Sequence, residues 1–483
     1  MISMAGRLKS IAVSLYLFLF FMAAASKAQS SIDLSKDSLP GFRQVYIHTV
    51  SDVQFYDITA ENLSEELQIE AEYPLKVSLQ CHENFESILN LSPSEGNVYE
   101  RIYVRVFPET TGSFTPVIHH SSSGYTTELT TNLTATENQI PQGYYSTATT
   151  SGSRLKTQLH EIIRNHQTQT YSSLWAHFTS TDITFSGKVW DIYSDLPCQE
   201  PPYLFTFSED QDSGSGGGSE GDVYNREHSM PRSWFGGNVD PMNTDLYHIY
   251  PVDKYVNAQR ANFPFGVVDA PYWTSLNGGK LGNNTAGNTY TGTVFEPIDA
   301  YKGDLARAFF YMVTRYEERI ESWTYTEEGN NMLDHNKYPG YQPWVIQMLM
   351  NWHNNDPVSH RERMRNDAVY KIQGNRNPFV DRPEFVEMIW GDTTLQTSFI
   401  DQKYYVRFYP NPVNDNLYFT SDTSVDKIVI YGSNGNELKK LKNIGNAGVV
   451  NVSSFTPGVY FLRYFTTGNT GLFKLVVYPP DRP

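Results

Sequence analysis

Cysteine is nearly absent from this 483-residue chain, which contains only Cys81 and Cys198. Two isolated cysteines exclude a cysteine-rich zinc site and a disulfide-dense scaffold. They lie far apart in the sequence, so a disulfide between them is allowed in an exported protein but is not required. The length of the chain predicts two to four domains rather than a single core.

Basic residues are also fewer than acidic residues. The chain has 37 Lys and Arg against 53 Asp and Glu, a formal net charge of −16, and residues 151–395 alone carry 20 against 31. This balance argues against a broad basic surface for nucleic acid. A polyanionic substrate would have to be held by a local cluster of cations together with a bound metal ion.

Long hydrophobic runs are missing after residue 28. Before it, Arg7 and Lys9 precede an apolar run from residue 11 to residue 25, and a Ser-Lys-Ala sequence follows at 26–28. This pattern predicts a secretory signal peptide over residues 1–28, and no later segment is apolar enough to span a membrane. We therefore expect an exported protein without a membrane span.

Composition divides the rest into three parts, over residues 30–145, 150–395 and 405–483. The first and last are rich in short alternating segments such as RIYVRVF (101–107), which predict strands. The middle part has helical patterns. The expected architecture is therefore an α+β core flanked by an N-terminal β-sandwich and a small C-terminal β-sandwich.

Three helices are predicted in the middle part. Residues 297–323 carry apolar side chains at spacings of three and four, which indicates an amphipathic helix facing a core. Asp356 and Pro357 are typical of an N-cap and the first helical position, and that helix is expected to end at Gly374. A short helix over 383–390 is expected to end at Gly391.

Polar residues cluster in two neighbouring stretches of this part, YNREHSMPRSWFGG (224–237) and TDLYHIYPVDKYVNAQRANFPFG (244–266). They predict a strand with Glu227 and His228, a second strand over DLYHIYP (245–251), and a helix that Asp253 caps and that carries Asn257. Carboxylate and amide oxygens suit a hard divalent cation, and a neutral histidine can take a proton from attacking water. Adjacent strand residues point to opposite faces, so only a bulge or twist is expected to bring both side chains to one phosphate.

This part resembles the endonuclease I family of extracellular and periplasmic nucleases, which use the ββα-metal fold. Five motifs occur in the expected order over roughly 240 residues, namely VWDIYSD (189–195), YNREHSMPRSWFG (224–236), TDLYHIYPVDKYVNAQRANFPFG (244–266), FEPIDAYKGDLARAFFYMVTRYEERI (295–320) and the stretch from WHNNDP to EMIWG (352–391). The resemblance implies that His228 is the general base and that Glu227 and Asn257 hold the metal. The expected cation is Mg²⁺, with Ca²⁺ or Mn²⁺ as alternatives.

Three further residues are assigned from their positions beside these motifs. Asp245 and His248 are expected to orient the site from behind the ligands rather than to bind the metal. Arg260 is expected to bind a phosphate of the substrate.

The flanking parts have resemblances of their own. Residues 62–124 resemble an immunoglobulin-like module, which implies a spacer or a binding module. Residues 408–477, with Tyr-Pro-Asn-Pro at 409–412 and Gly-Val-Tyr at 458–460, resemble the C-terminal sorting domain of the type IX secretion route. This second resemblance implies passage through the type IX machinery and a location at the cell surface or in the medium.

The sequence thus predicts a secreted, metal-dependent and largely sequence-independent endonuclease acting on DNA, with RNA left open as a second substrate. Two alternatives remain at this point: a secreted adhesin or binding protein with an inactive nuclease-like domain, and a metal phosphodiesterase acting on small substrates.

Overall fold

The computed structural model describes residues 29–287, 289–391, 406–432, 436–466 and 469–477. The predicted signal peptide lies outside these residues. The chain divides into two compact units, Met1–Thr397 and Ser398–Pro483, which are described separately below.

The N-terminal part of the first unit is built from short strands. They are β1 (Ser31–Leu34), β2 (Arg43–Tyr46), β3 (Gln54–Glu61), β4 (Leu67–Ala71), β5 (Leu75–Ser78), β6 (Ile88–Leu91), β7 (Val98–Val106), β8 (Gly112–Phe114), β9 (Val117–Ser122), β10 (Tyr125–Thr130) and β11 (Leu133–Thr136). One antiparallel sheet has the order β1-β3-β7-β5 and a second has the order β10-β9-β4-β6, while β2, β11 and β8 form a smaller third sheet.

Alternation along β7 explains why these strands enclose a core. Ile102, Val104 and Val106 are buried, and the residues between them are partly exposed. Their side chains pack with apolar residues of the second sheet, among them Ile69 and Ile118. This part is therefore a β-sandwich, in agreement with the sequence prediction.

The middle part of the first unit mixes helices and strands, as predicted. Its elements are α1 (Gly152–Ile163), α2 (Leu174–Thr181), β12 (Tyr224–His228), β13 (Ile249–Asp253), α3 (Lys254–Arg260), β14 (Pro271–Thr274), β15 (Lys280–Asn283), β16 (Thr293–Glu296), α4 (Lys302–Arg315), α5 (Glu327–Met332), α6 (Pro343–Asn355), α7 (His360–Gln373), α8 (Pro378–Asp381) and α9 (Glu384–Trp390). They share one hydrophobic core, which is separate from the core of the sandwich.

The prediction for residues 297–323 is wrong in its extent and its environment. The α-helix covers only Lys302–Arg315, and every residue from Gly303 to Arg315 is buried. The helix lies in the middle of the core, in contact with α1, α6 and α8. Its polar side chains find buried partners; Arg307, for example, donates two hydrogen bonds to Glu362, each 2.6 Å long. The apolar spacing of three and four therefore identified only one side of α4, whereas the surrounding protein buries this helix on every side.

The predicted start of the helix that ends at Gly374 is also wrong. Asp356 ends α6, and α7 begins only at His360. Ser359 is the N-cap because its hydroxyl accepts the N–H of Glu362 while the Glu362 carboxylate accepts the N–H of Ser359, which is a complete capping box. Gly374 does end this helix, in the left-handed conformation.

The sandwich is joined to the middle part by a covalent bond and by packing. Cys81 and Cys198 form a disulfide, which the sequence allowed without requiring it. Nearby, the rings of Phe42 and Phe185 lie 5.4 Å apart, and the Arg43 guanidinium donates a 2.9 Å hydrogen bond to the carbonyl oxygen of Thr184. These contacts place two separate cores within one compact unit.

The second unit consists of β17 (Val406–Tyr409), β18 (Asn416–Tyr431), β19 (Glu437–Asn451), β20 (Gly458–Thr466) and β21 (Asn469–Val477). In its described residues these strands are linked by hydrogen bonds into one antiparallel network, and their apolar side chains form a core of their own. The long β18 connects them, since it pairs with β17 through residues 418–421 and with β20 through residues 425–431, with register shifts between these two segments. This unit is β-rich as predicted, and its description as a small sandwich stays a prediction.

No helix in the described parts of the chain combines the length and the apolar character needed to cross a membrane.

Candidate metal and nucleic-acid site

Two strands and a helix form the frame of the site. β12 pairs with β13 in antiparallel register, with Glu227 opposite Tyr250, and α3 follows β13 without a loop. Asp253 caps α3, since its Oδ1 accepts the N–H of Val256 at 2.9 Å. The strand–strand–helix order and this N-cap were both predicted, although the second strand begins at Ile249 rather than at residue 245.

A polar cavity of about 510 Å³ lies along β12 and the end of α3. It brings together four of the six residues selected from the sequence, Glu227, His228, Asn257 and Arg260. The other residues that border it are Tyr171, Asp212, Asn225, Arg226, Pro231, Arg232, Ser233, Gly237, Asn238, Ala261 and Asn262.

Adjacent residues of one strand share this cavity without a bulge. The register between β12 and β13 is continuous from Tyr224 to His228. Beyond a bridge between Tyr224 and Gln211, the described residues place no further strand against the outer edge of β12. Side chains from both faces of a strand can border a cavity at its free edge, so the expected bulge is not needed.

His228 is held in one tautomer. Its Nε2 lies 3.1 Å from the carbonyl oxygen of Asn243, which can only accept, so Nε2 carries the hydrogen and Nδ1 keeps its lone pair in the neutral ring. Burial, and secondarily the neighbouring His248, lowers the pKa of His228 well below its usual range. The ring is therefore neutral at pH 7, which is the state that can accept a proton.

Glu227 is buried, with 3% of its surface exposed, and its partners address one oxygen. The Tyr193 hydroxyl and Arg260 Nη1 both donate to Oε1, each at 2.9 Å. Burial raises the pKa of Glu227, and the charge of Arg260 opposes that rise. In the described structure these two side-chain bonds leave Oε2 without a side-chain donor.

The side-chain oxygen of Asn257 is likewise not used in the hydrogen bond that holds its amide. Its Nδ2 donates a 2.7 Å hydrogen bond to Oδ1 of Asn225, and this fixes the amide plane. Asn225 precedes Glu227 by two positions, so both side chains leave β12 on the same face. The donor half of the Asn257 amide is thus occupied, while its Oδ1 is not used in this bond.

Arg260 borders the cavity, but its guanidinium is hydrogen-bonded to other groups of the protein. It is buried, pairs with Glu227, and donates to the carbonyl oxygens of His228 at 3.1 Å and Ser229 at 2.7 Å. These contacts tie the last residue of α3 to β12. Its predicted contact with phosphate stays a prediction, and its observed partners are groups of the protein.

Asp245 and His248 lie behind the cavity rather than on it. The His248 ring packs edge-on against the His228 ring, with centroids 5.4 Å apart, and His248 Nε2 bonds to the carbonyl oxygen of Met242 at 2.7 Å. Asp245 is fully buried and accepts hydrogen bonds from the hydroxyls of Tyr311 and Tyr316. This placement is compatible with their expected role in orienting the site.

Sequence reasoning missed the cations and the aromatic residues at the cavity. Arg226 lies between two rings, with its guanidinium carbon 3.7 Å from the centroid of Tyr171 and 4.2 Å from that of Trp175. Arg232 lies 5.7 Å from the same Tyr171 ring and donates to Asn238. Both arginines belong to the 224–237 motif, but Tyr171 and Trp175 come from a distant helical segment that no local pattern links to it.

The donor set at this cavity fits a divalent cation of the hard class. Glu227 Oε2 and Asn257 Oδ1 are oxygen donors that the side-chain bonds described above leave open, and Mg²⁺ or Ca²⁺ prefers such ligands. Elsewhere in the described residues, Cys81, His82 and Cys198 are the one cluster of three His, Cys, Asp or Glu side chains close enough to share an ion. Their two sulfurs are joined in the disulfide, so that cluster does not offer thiolates.

Comparison with known proteins identifies the family of the chain. The sequence model of the endonuclease I family matches residues 151–384, and that of the secretion system C-terminal sorting domain matches residues 407–478. An extracellular ribonuclease of Bacillus amyloliquefaciens is 33% identical over 309 residues, covering 62% of this chain and 91% of the relative. An extracellular ribonuclease of Bacillus subtilis is 35% identical, covering 50% of this chain and 75% of the relative.

An endonuclease-1 of Buchnera aphidicola is 27% identical over 30% of this chain and 48% of that relative. The middle of the protein is thus of the nuclease class, and the chain belongs to the endonuclease I family. Its C-terminal unit is a secretion sorting domain, and the protein is exported to the cell surface or the extracellular space.

The lowered pKa of His228 predicts its behaviour in the metal-free protein. In ring NMR spectra of EDTA-treated protein, the His228 signals should stay at their neutral position as the pH falls through 6.5 and should move only at lower pH. The exposed His119 is the control, because its hydrogen bond to Glu72 raises its pKa and its signals should move above pH 6.5. A His228→Gln variant assigns the resonance. A His228 midpoint at or above 6.5 would contradict the prediction.

Proposed function

We propose that the protein is a secreted, metal-dependent endonuclease that hydrolyses phosphodiester bonds of DNA and RNA, largely without regard to sequence. The observation that carries this proposal is the cavity that Glu227, Asn257 and His228 border together, with the Nδ1 of the neutral His228 ring free of a proton. RNA is included because two of the relatives reported above are named extracellular ribonucleases.

His228 is proposed as the general base. Its Nδ1 takes the proton of the water that attacks the phosphorus, and the Asn243 carbonyl oxygen holds Nε2–H in place as the ring becomes charged. The edge-on ring of His248 limits how far the imidazole can turn. The contribution of such a base is typically about 10²–10⁴ in rate.

Glu227 and Asn257 are proposed as the protein ligands of the cation, through Oε2 and Oδ1. A bound Mg²⁺ would polarise the phosphate and stabilise the leaving oxygen. The buried pair between Glu227 and Arg260 and the hydrogen bond that Asn257 donates to Asn225 hold the two side chains in place. The native ion is proposed as Mg²⁺ because the two available donors, an amide oxygen and a carboxylate oxygen, are ligands that a hard cation prefers.

Arg226 and Arg232 are proposed to contact the phosphate backbone of the substrate. Arg260 is a further cation at the same cavity. In a chain with a net charge of −16, a few arginines at the cavity must supply the attraction that a wide basic face supplies elsewhere. Contacts of this kind go to phosphate and carry no sequence information, which favours broad specificity.

The first test is a plasmid-cleavage assay with and without EDTA. Cleavage should require a divalent ion, and His228→Ala should lower the rate by about 10²–10⁴ because the general base is lost. Mn²⁺ binding to His228→Ala, measured by calorimetry, should be nearly unchanged. His119→Ala, which alters a histidine of the sandwich, is the control.

Three outcomes of this assay point elsewhere. Near-normal cleavage by His228→Ala would remove this residue from the mechanism. Nucleic-acid binding without cleavage by the wild-type protein would favour the adhesin alternative. Hydrolysis of bis(p-nitrophenyl) phosphate without plasmid cleavage would favour the phosphodiesterase for small substrates.

A second prediction concerns Arg232. Arg232→Ala should weaken binding to nucleic acid and should reduce the slope of log affinity against log salt concentration by about 0.9 on duplex DNA, the value for one phosphate contact. The metal concentration for half-maximal cleavage should not change. Arg319→Ala is the control, because Arg319 is half-exposed, pairs with Glu318 and does not border the cavity. Equal salt slopes in wild type and Arg232→Ala would contradict a phosphate contact.

A further inference from the structure

Glu227 is fixed by a residue that lies outside the cavity. The Tyr193 hydroxyl donates a 2.9 Å hydrogen bond to Glu227 Oε1, and Tyr193 is 2% exposed. It does not border the cavity, so its hydroxyl is out of reach of a substrate there. Its ring packs on Phe295, with centroids 5.1 Å apart, which keeps the hydroxyl aimed at the carboxylate.

The segment around Tyr193 also supports the helix that carries Asn257. The Asp191 carboxylate accepts the N–H of Tyr193 at 2.8 Å through Oδ1 and the N–H of Asp253 at 2.9 Å through Oδ2. Asp253 is the N-cap of α3. One short stretch of chain, residues 191–193, therefore contacts Glu227 directly and reaches Asn257 through the start of its helix.

The two side-chain donors to Glu227 bind the same oxygen of its carboxylate, so the two oxygens have different surroundings. Tyr193 and Arg260 both occupy Oε1, so the remaining oxygen has one preferred direction. A glutamate side chain has three rotatable bonds, and holding them costs conformational entropy that the bonds from Arg260 and from the backbone N–H of His228 would otherwise have to offset. The Tyr193 hydroxyl adds a second fixed point and so selects the rotamer in which Oε2 is presented.

We propose that Tyr193 is a positioning residue for the metal site, which orients Glu227 before the cation binds. The inference rests on the proposed function, since it assumes that Glu227 is a ligand. Asp191 extends the same support to α3. Tyr193 acts through Glu227 and touches neither the substrate nor the attacking water.

The test compares Tyr193→Phe with the wild-type chain after removal of metal by EDTA. The variant keeps the ring and loses only the hydroxyl. Mn²⁺ affinity, measured by calorimetry, should fall by about 10–100-fold, the usual loss when a group that orients a ligand is removed. The Mn²⁺ concentration for half-maximal cleavage should rise by a similar factor.

A matched control separates positioning from general stability. Tyr341→Phe also removes one buried tyrosine hydroxyl, which donates to the carbonyl oxygen of Phe309 at 2.8 Å and lies outside the cavity. Both variants should melt at similar temperatures in EDTA, and Tyr341→Phe should bind Mn²⁺ as the wild type does.

Each other outcome identifies what has failed. Wild-type Mn²⁺ affinity in Tyr193→Phe overturns the inference and leaves the proposed function standing. A melting temperature in EDTA far below that of Tyr341→Phe also overturns it, since the loss would then be structural. If the wild-type protein itself binds no Mn²⁺ or cleaves in EDTA, the proposed function fails first.

Discussion

The buried ion pair between Arg260 and Glu227 is the contact on which the site depends. It joins the last residue of α3 to the next-to-last residue of β12 at 2.9 Å, and both side chains are almost fully buried. Breaking such a pair by removing one partner leaves an uncompensated buried charge, which typically costs about 3–5 kcal/mol. The pair therefore fixes the angle between helix and strand, and with it the distance between Glu227 and Asn257.

Once strand and helix are fixed, the remaining groups have little freedom. Asn225 and Tyr193 each hold one half of a proposed ligand, and the Asn243 carbonyl oxygen selects the tautomer of His228. Glu227 Oε2 and Asn257 Oδ1, which these side-chain bonds do not use, and the lone pair of His228 Nδ1 are the groups that the proposed chemistry needs. A site so arranged is set before substrate arrives, which is the condition for efficient electrostatic catalysis.

The local parts of this frame could be predicted from the sequence, and the long-range parts could not. The strand with Glu227 and His228 and the helix capped by Asp253 follow from neighbouring residues, and both are present. The N-cap placed at Asp356 was wrong because the capping box at Ser359 competes for the same helix start. The helix within 297–323 was predicted to be amphipathic, with one apolar side, because spacing cannot reveal the buried partners of its polar residues, such as Glu362 for Arg307.

At the cavity too, the sequence could not predict the roles that depend on contacts between distant residues. Arg260 was expected to bind a phosphate, and its pairing with Glu227 could not be foreseen because the two residues lie 33 positions apart. Tyr193 lies within the VWDIYSD motif (189–195), but nothing in that motif links it to Glu227, and a buried tyrosine is ordinarily a core residue. Tyr171 approaches Arg226 only after the chain has folded.

The most direct measurement is the position of the cation. Crystals of the protein stripped with EDTA and soaked in Mn²⁺ should give one anomalous diffraction peak in the cavity. It should lie at a metal–oxygen bonding distance, about 2.0–2.6 Å for hard cations, from Glu227 Oε2 and Asn257 Oδ1. A peak bound to other residues, or none at a Mn²⁺ concentration that supports cleavage, would contradict the assignment of these two residues as the metal ligands.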